Sequence, residues 1–443
     1  MNYLNKTDKE ISSLIKKEEK RQQNTLMMIP SENIVSRAVS LAVGSVLGNK
    51  YAEGYSKKRY YQGQEFIDQI EELVIKRAKK LFNVPYVNVQ PHSGSPANLA
   101  VYVSLLEEKD KLLGLALEFG GHLTHGAPVS VTGRFFNSIQ YGLNKSGYID
   151  YDEIQRIAKK EKPKIIVAGT TAYPRIINWK LFAKIADSIN AYLLADISHL
   201  SGLIISNVYP TPVPYAHIIT TTTHKTLRGP RGAMIMLTKK GIKKDQDLPK
   251  KIDKSIIPGL QGGPHINAIA GIGVALKEAS TKRFKAYSKQ IILNAKILEK
   301  ELIKYNFNLV SGGTDSHLLL IDLKNKNILG NTAAEACEKA AVVLNRNAVP
   351  HDTNPRFYPS GIRLGTPGIT SRGMKKQEMI QIAKYLNQII QGLAKSKEKM
   401  KIASIEERKK SIRTKIINNT PDIKIVLKKV KALCKRFQVK KMY

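Results

Sequence analysis

Six short apolar runs punctuate the first two thirds of the chain: "YVNVQ", "KLLGLAL", "KIIVAGT", "AYLLADIS", "HIITTTT" and "GAMIML". Between several of them, apolar residues recur three and four positions apart, as in "YDEIQRIAKKEK" and "WKLFAKIADSIN". The runs predict buried strands, and the intervening period predicts amphipathic helices. Strand and helix in alternation predict an α/β domain built on a largely parallel sheet. In such sheets, ligands collect at the carboxyl ends of the strands.

The pattern changes on either side of this stretch. Residues 1–45 read as an N-terminal helical arm, and 46–280 as the large α/β domain. Residues 281–443 read as a smaller α+β C-terminal domain. It has long helical patterns around "NLVSGGTDSHLLLIDL" and an arginine-bearing loop, "SGIRLGTPGITSRG". The lysine-rich tail beyond Ser396 reads as a solvated helical region.

Composition narrows the class. Hydrophobic residues make up 42% of 443 positions, an ordinary globular share. No apolar run reaches the roughly 18 residues that a membrane helix needs. The N-terminus lacks an apolar signal core and carries Asp8, Glu10, Glu18 and Glu19, so a cytoplasmic protein is expected. Cys337 and Cys434 form no metal-type spacing, and the histidines show no zinc-binding helix pattern, so no metal is expected. The net charge of +36 is extreme. Its lysines are spread along the chain with no nucleic-acid motif beside them. The surplus therefore reads as compositional, with no specific nucleic acid expected; a basic nucleic-acid binder is the rival reading.

Three strand ends carry chemistry. After "YVNVQ", Ser93-Gly94-Ser95 opens a helix, and backbone amides there make a phosphate cradle or an ordinary cap. After "AYLLA" come Asp196 and His199, a carboxylate able to hold a protonated ring nitrogen or merely to cap a turn. After "HIITTTT" comes Lys225, whose amine can form a Schiff base with an aldehyde. Phosphate cradle, carboxylate and lysine on successive strand ends are explained together by one cofactor, pyridoxal 5'-phosphate. Arg363 suits the α-carboxylate of an amino acid, because a guanidinium grips carboxylates in a fork. Tyr51, Glu53, Tyr60 and Tyr61 in "NKYAEGYSKKRYYQG" suit a site wall with an acid/base group.

The motifs "PSENIVS", "NKYAEGY", "VQPHSGS", "GGHLTHG", "TTTTHKTLRGPRG", "PGLQGGP" and "SGIRLGTPGITSRG", in this order from residue 30 to 373, resemble the serine hydroxymethyltransferase family. The resemblance implies the aspartate-aminotransferase-like fold type I and a homodimer with shared active sites. It implies reversible transfer of the serine hydroxymethyl carbon to tetrahydrofolate, giving glycine and 5,10-methylenetetrahydrofolate. Lys225 would be the Schiff-base lysine with His224 beside it, Asp196 the pyridinium partner, and His199 a contact to the cofactor's phenolic oxygen. His122 would stack on the ring. Ser93, Gly94 and Ser95 would hold the phosphate, with Gly262 and Gly263 from the second subunit. Thr171 and Thr222 would complete the cofactor site. Glu53 would be the acid/base group. Ser31, Tyr51, Tyr61 and Arg363 would bind the amino acid. Leu117, Gly121, His122, Leu123, Asn347, Pro355, Arg356 and Phe357 would border the folate. The sequence departs from the family pattern at Pro30, Thr171, Pro174, Ser198, Ser201 and Ile257, and in "YSKKRYY". A pyridoxal-phosphate aldolase that needs no folate is the nearest alternative.

Overall fold

The computed structural model describes residues 2–439. The chain divides into two compact units. One comprises Val35–Ile292 with Thr314–Ser316; the other comprises residues up to Ile34, Leu293–Gly313 and residues from His317 on.

The first unit is built on a seven-stranded sheet. Its strands are β1 (Tyr86–Asn88), β2 (Lys111–Leu115), β3 (Asn137–Tyr141), β4 (Ile165–Gly169), β5 (Tyr192–Asp196), β6 (Ile218–Thr222) and β7 (Ala233–Leu237). They lie in the order β1-β7-β6-β5-β4-β2-β3. Pairing is parallel except at β7, which runs antiparallel to β1 and β6. Every residue of β4, β6 and β7 is buried, so these strands read as unbroken apolar or threonine runs. The edge strand β3, "NSIQY", has only one buried residue. It carries no such run, and the apolar pattern did not reveal it.

Helices cover the sheet. Asp150 caps α2 (Tyr151–Glu161), its side chain accepting from the Glu153 amide, and Ile154 and Ala158 face inward. Asn178 caps α3 (Trp179–Ser188) in the same way, from the Leu181 amide. Ahead of both, α1 (Gly94–Leu105) follows β1 directly.

The second unit carries a four-stranded antiparallel sheet: β8 (Asn308–Leu309), β9 (Leu318–Asp322), β10 (Asn345–Asn347) and β11 (Gly361–Gly365), ordered β8-β9-β11-β10. Two expectations change here. Arg363 sits mid-strand in β11, not in a loop, with Leu320 and Asn345 as its register partners. Gly361 and Gly365 end the strand and are themselves paired in it. The lysine-rich tail is also more than a solvated region. Its helices Lys410–Asn418 and Asp422–Arg436 bury Ile416, Ile417, Val426, Val430 and Leu433 in the core of this unit. Lysines occupy the outer faces, and their number masked an amphipathic period. The N-terminal segment joins the same unit, since Leu26–Met27 pairs in parallel with Val342–Val343. Cys337 and Cys434 are buried free thiols, and burial pushes the Cys337 thiol up to about 12. Among the described residues, no helix is long and apolar enough to cross a membrane, and no cluster could hold a metal ion.

One ion pair in this unit is almost fully buried. Lys397 Nζ lies 2.7 Å from Glu407 Oε2, with side chains 3% and 0% exposed. Lys397 also donates to the Asn327 carbonyl and Ser404, and Glu407 accepts from the Leu329 amide. Lys397→Met would strand the Glu407 charge. The expected loss is about 3–5 kcal/mol, read by denaturant unfolding. Lys397→Met/Glu407→Gln should recover most of it, and a single variant as stable as the parent would refute the pair's role.

A second prediction concerns acid. His217 is 2% exposed, and its Nδ1 accepts from the Leu193 amide at 2.9 Å. Burial, with Lys240 and Lys244 nearby, depresses its pKa to about 4. Below about 6.5 the unfolded chain binds a proton there that the folded chain refuses. Stability therefore falls as pH drops from 6.5 toward 4, by up to about 1.4 kcal/mol per pH unit for this one group. His217→Asn should flatten that slope in melting experiments, and an unchanged slope would exclude His217 as the source.

Candidate active site

The carboxyl ends of the parallel strands meet at one small cavity. After β1, Gly94 opens α1 against it. After β2 come His122 and His125, and after β4, Thr170 and Thr171. Asp196 ends β5, with Ser198 and His199 following. Thr222 ends β6, and Lys225 follows. Adjacent strands in register produce this convergence, since Gly169 pairs with Asp196 and Asp196 with Thr220. Gly169 must be glycine, because a Cβ there would lie 2.8 Å from the Asp196 Cβ.

Asp196 is the electrostatic centre. Burial alone would raise its carboxyl, but hydrogen bonds and the neighbouring histidines hold it far below the usual carboxylate range. Oδ2 accepts from His125 Nε2 at 3.0 Å and Asn98 Nδ2 at 2.9 Å, and Oδ1 accepts from the Ser198 amide at 3.0 Å. His122 is pushed the other way. Burial and its charged neighbours depress it to about 4, so its ring is neutral near pH 7.

The set fits pyridoxal phosphate. A fixed carboxylate and a helix N-terminus both line the cavity. Lys225, 9% exposed, donates to the Thr222 hydroxyl at 3.1 Å. Ser93 is the N-cap of α1 yet its side chain makes no capping bond. At Gly94 a Cβ would fall 2.6 Å from the Thr222 methyl, so the cradle stays open only with glycine. Ser95 is exposed at the same helix start, and Thr171 binds the Gly120 and Gly121 carbonyls through its hydroxyl. His224, beside Lys225, is depressed to about 3 by burial and the adjoining Lys225 and Arg231.

Ser198, a departure from the family pattern, has work here. Its hydroxyl accepts from the Thr222 amide at 3.0 Å, tying the end of β5 to that of β6. The other departures near the cavity are less informative: the Ser201 hydroxyl is buried with no hydrogen-bond partner, and Ile257 is simply buried.

A second cluster in this unit does not line the cavity. Glu53 receives the Tyr51 and Tyr61 hydroxyls, each at 3.3 Å, and the two rings meet edge to face. Gly262 and Gly263 abut it, since a Cβ on Gly262 would reach 3.0 Å from Glu53 Oε1. Tyr51 and Tyr61 are 57% and 45% exposed, an open surface for two rings and a carboxylate. Leu117, Gly121 and Leu123 lie along the loop that carries His122, with Leu123 exposed.

Ser31, Arg363, Asn347 and Pro355–Phe357 belong to the other unit. The segment bearing Ser31 runs along the end of β11, where the Gly365 amide donates to the Met28 carbonyl at 2.7 Å. Arg363 donates from Nε to Asn345 Oδ1 at 3.1 Å, and burial lowers its pKa to about 10. Asn347 sits on β10, and Pro355, Arg356 and Phe357 form an exposed turn.

Sequence reasoning missed His125, which lines the cavity and bonds Asp196, and Asn98, Thr124 and Thr220, which are hydrogen-bonded in one network with Asp196 and His122. A signal existed for Asn98. It lies four residues after Gly94, on the same face of an otherwise apolar helix.

Comparison with known proteins agrees with this geometry. The family model for serine hydroxymethyltransferase matches residues 4–386. A serine hydroxymethyltransferase of Acidothermus cellulolyticus is 53% identical over 406 residues, covering 91% of this chain and 93% of its own. One from Desulfotalea psychrophila is 53% identical over 390 residues, covering 88% and 90%. One from Methanosarcina barkeri is 49% identical over 440 residues, covering 99% and 100%. With its strand-end lysine, buried aspartate and open helix cradle, the chain belongs to the serine hydroxymethyltransferase family.

Proposed function

We propose that this chain catalyses the reaction its family is named for, moving the hydroxymethyl carbon of serine to tetrahydrofolate and leaving glycine. The observation that carries the reading is the joint placement of Lys225, Asp196 and the Gly94 helix start around one cavity. Pyridoxal phosphate, when bound, supplies the electron sink that weakens bonds at the amino acid's α-carbon. Lys225 Nζ would hold the cofactor at its aldehyde carbon. Asp196, charged in a buried place, would favour a proton on the ring nitrogen. The amides and hydroxyls of Ser93, Gly94 and Ser95 hold the phosphate. His122 presents a neutral ring face, and His199, Thr171 and Thr222 complete the cofactor's border.

Arg363 and Ser31 bind the substrate carboxylate, a role supported by a guanidinium in a largely desolvated place. Glu53 moves the proton at the serine hydroxyl oxygen, with Tyr51 and Tyr61 setting its carboxylate. Leu117, Gly121, Leu123, Asn347 and the turn Pro355–Phe357 border the pterin. The exposed tyrosine–glutamate cluster with Gly262 and Gly263 supports a homodimer in which each copy completes the other's site.

Two experiments test the assignment. Borohydride reduction of cofactor-loaded protein, followed by peptide mapping, should label the Lys225 peptide; label on any other lysine removes Lys225 from its role. Serine cleavage should also depend on tetrahydrofolate, and folate-independent cleavage at full rate would favour an aldolase. Substitutions then separate binding from proton movement. Arg363→Lys should weaken serine binding by about 2–5 kcal/mol, since it keeps charge but loses the fork. Glu53→Gln should leave serine binding intact while folate-dependent turnover drops roughly 10²–10⁴-fold. Spectral titration with serine reads the first effect and product formation the second; the reverse pattern would exchange the two roles.

A further inference from the structure

Asn98 makes every hydrogen bond its amide can aim at the site, and each goes to a different chain segment. Nδ2 donates to Asp196 Oδ2 at 2.9 Å and to Thr124 Oγ1 at 2.9 Å. Oδ1 accepts from the Thr220 hydroxyl at 2.6 Å. The side chain is 1% exposed, so no water competes for these contacts. Its orientation is fixed by charge, because a flipped amide would set Oδ1 against the Asp196 carboxylate.

The contact to Thr124 has a consequence further along. Thr124 Oγ1 accepts from Asn98, which frees its own hydrogen to point elsewhere. His122 Nδ1 lies 2.8 Å away, and the Thr124 amide donates to that nitrogen at 3.2 Å. Nδ1 is therefore an acceptor for two donors, and the neutral ring carries its proton on Nε2. A parallel argument fixes His125. Its Nδ1 accepts from the His122 amide at 3.3 Å, and Nε2–H faces Asp196.

We infer that Asn98 is a positioning residue that sets Asp196 and, through the Thr124 hydroxyl, the tautomer and tilt of His122 as one unit. Its role in turnover rests on the functional reading above. Asn98 touches neither substrate nor cofactor in this scheme. It lies on α1 four residues after Gly94, so the same rigid helix that opens the phosphate cradle carries the hub for the ring-binding groups. Three contacts to the cofactor would then share one reference frame: cradle, carboxylate and stacking ring.

The test uses two variants, Asn98→Ala and Thr124→Val, and a readout that needs no cofactor. In ¹⁵N-histidine-labelled, cofactor-free protein, the parent His122 should show the Nε2–H tautomer alone. Both variants should admit a detectable share of the Nδ1–H tautomer, since only the Thr124 amide then holds Nδ1 firmly as an acceptor, with His122 assigned by its own substitution. In loaded protein, Asn98→Ala should shift the cofactor's visible band and lower kcat on the order of 10- to 100-fold, the scale for groups that orient a primary ligand. KM for serine should change little. Thr124→Val should alter His122 but leave the band near its parent position, since Asp196 keeps its Asn98 contact. An unchanged His122 tautomer in both variants overturns the proposal. So does a loss of melting temperature with tautomer, band and kcat all preserved, which is the mark of packing alone. If Asn98→Ala does not fold, Thr124→Val decides the question through the tautomer. A parent protein that binds no pyridoxal phosphate would overturn the functional reading and, with it, the role in turnover, whereas the tautomer result would still judge the hydrogen-bond relay.

Discussion

A carboxylate kept charged away from water is the constraint on which this site rests. Asp196 is 8% exposed, and burial by itself favours its neutral form. Three donors reverse that preference, and they come from Asn98 on α1, His125 after β2 and the Ser198 amide after β5. No local stretch of chain could supply all three. The sheet order brings them together by placing β4, β5 and β6 side by side with their carboxyl ends level. The fold is in this sense the solvent of Asp196: fixed dipoles replace the water that burial removed.

What the sequence disclosed follows from which physics is local. The central strands were legible because burial on both faces forces an apolar run, whereas β3 escaped notice because an edge strand needs none. The positions of Lys225, Asp196 and Gly94 were legible because each ends or follows an apolar run that the pattern marks as a strand. Asn98 and His125 bond Asp196 across 98 and 71 positions; a polar residue on a mostly apolar helix was the one local sign of Asn98, and nothing local marks His125. Arg363 was legible as a chemical group but misplaced as a loop residue, although it pairs on both sides within a strand. The lysine-rich tail misled for a compositional reason. A surplus of +36 puts lysine on every outer face, so charge stops distinguishing a solvated helix from a packed one.

Glu53 is held by a different arrangement of the same kind. The Arg59 guanidinium donates to the Ala52 and Gly54 carbonyls, one on each side of Glu53. Arg59 is itself anchored by Asp68 at 2.9 Å and Glu71 at 3.0 Å, and its side chain is 2% exposed. A buried guanidinium with two carboxylates and two carbonyls around it has little freedom to shift. The backbone that presents Glu53 is thus rigid, while the Glu53 side chain remains accessible between two tyrosine hydroxyls.

The two clusters are also linked through the core. Gln90 donates to the Gly54 carbonyl and to both oxygens of Glu71, and it sits three residues before Ser93. Gln261 closes the circuit: its side chain accepts from the His92 amide and donates to the Gln90 carbonyl, immediately before Gly262 and Gly263. The segment leading into α1, the Glu53 loop and the glycine pair therefore hang on one polar network of glutamines, Arg59 and Glu71. The rigid groups here lie behind the chemistry and the exposed ones lie in front, so geometry is set before any substrate arrives.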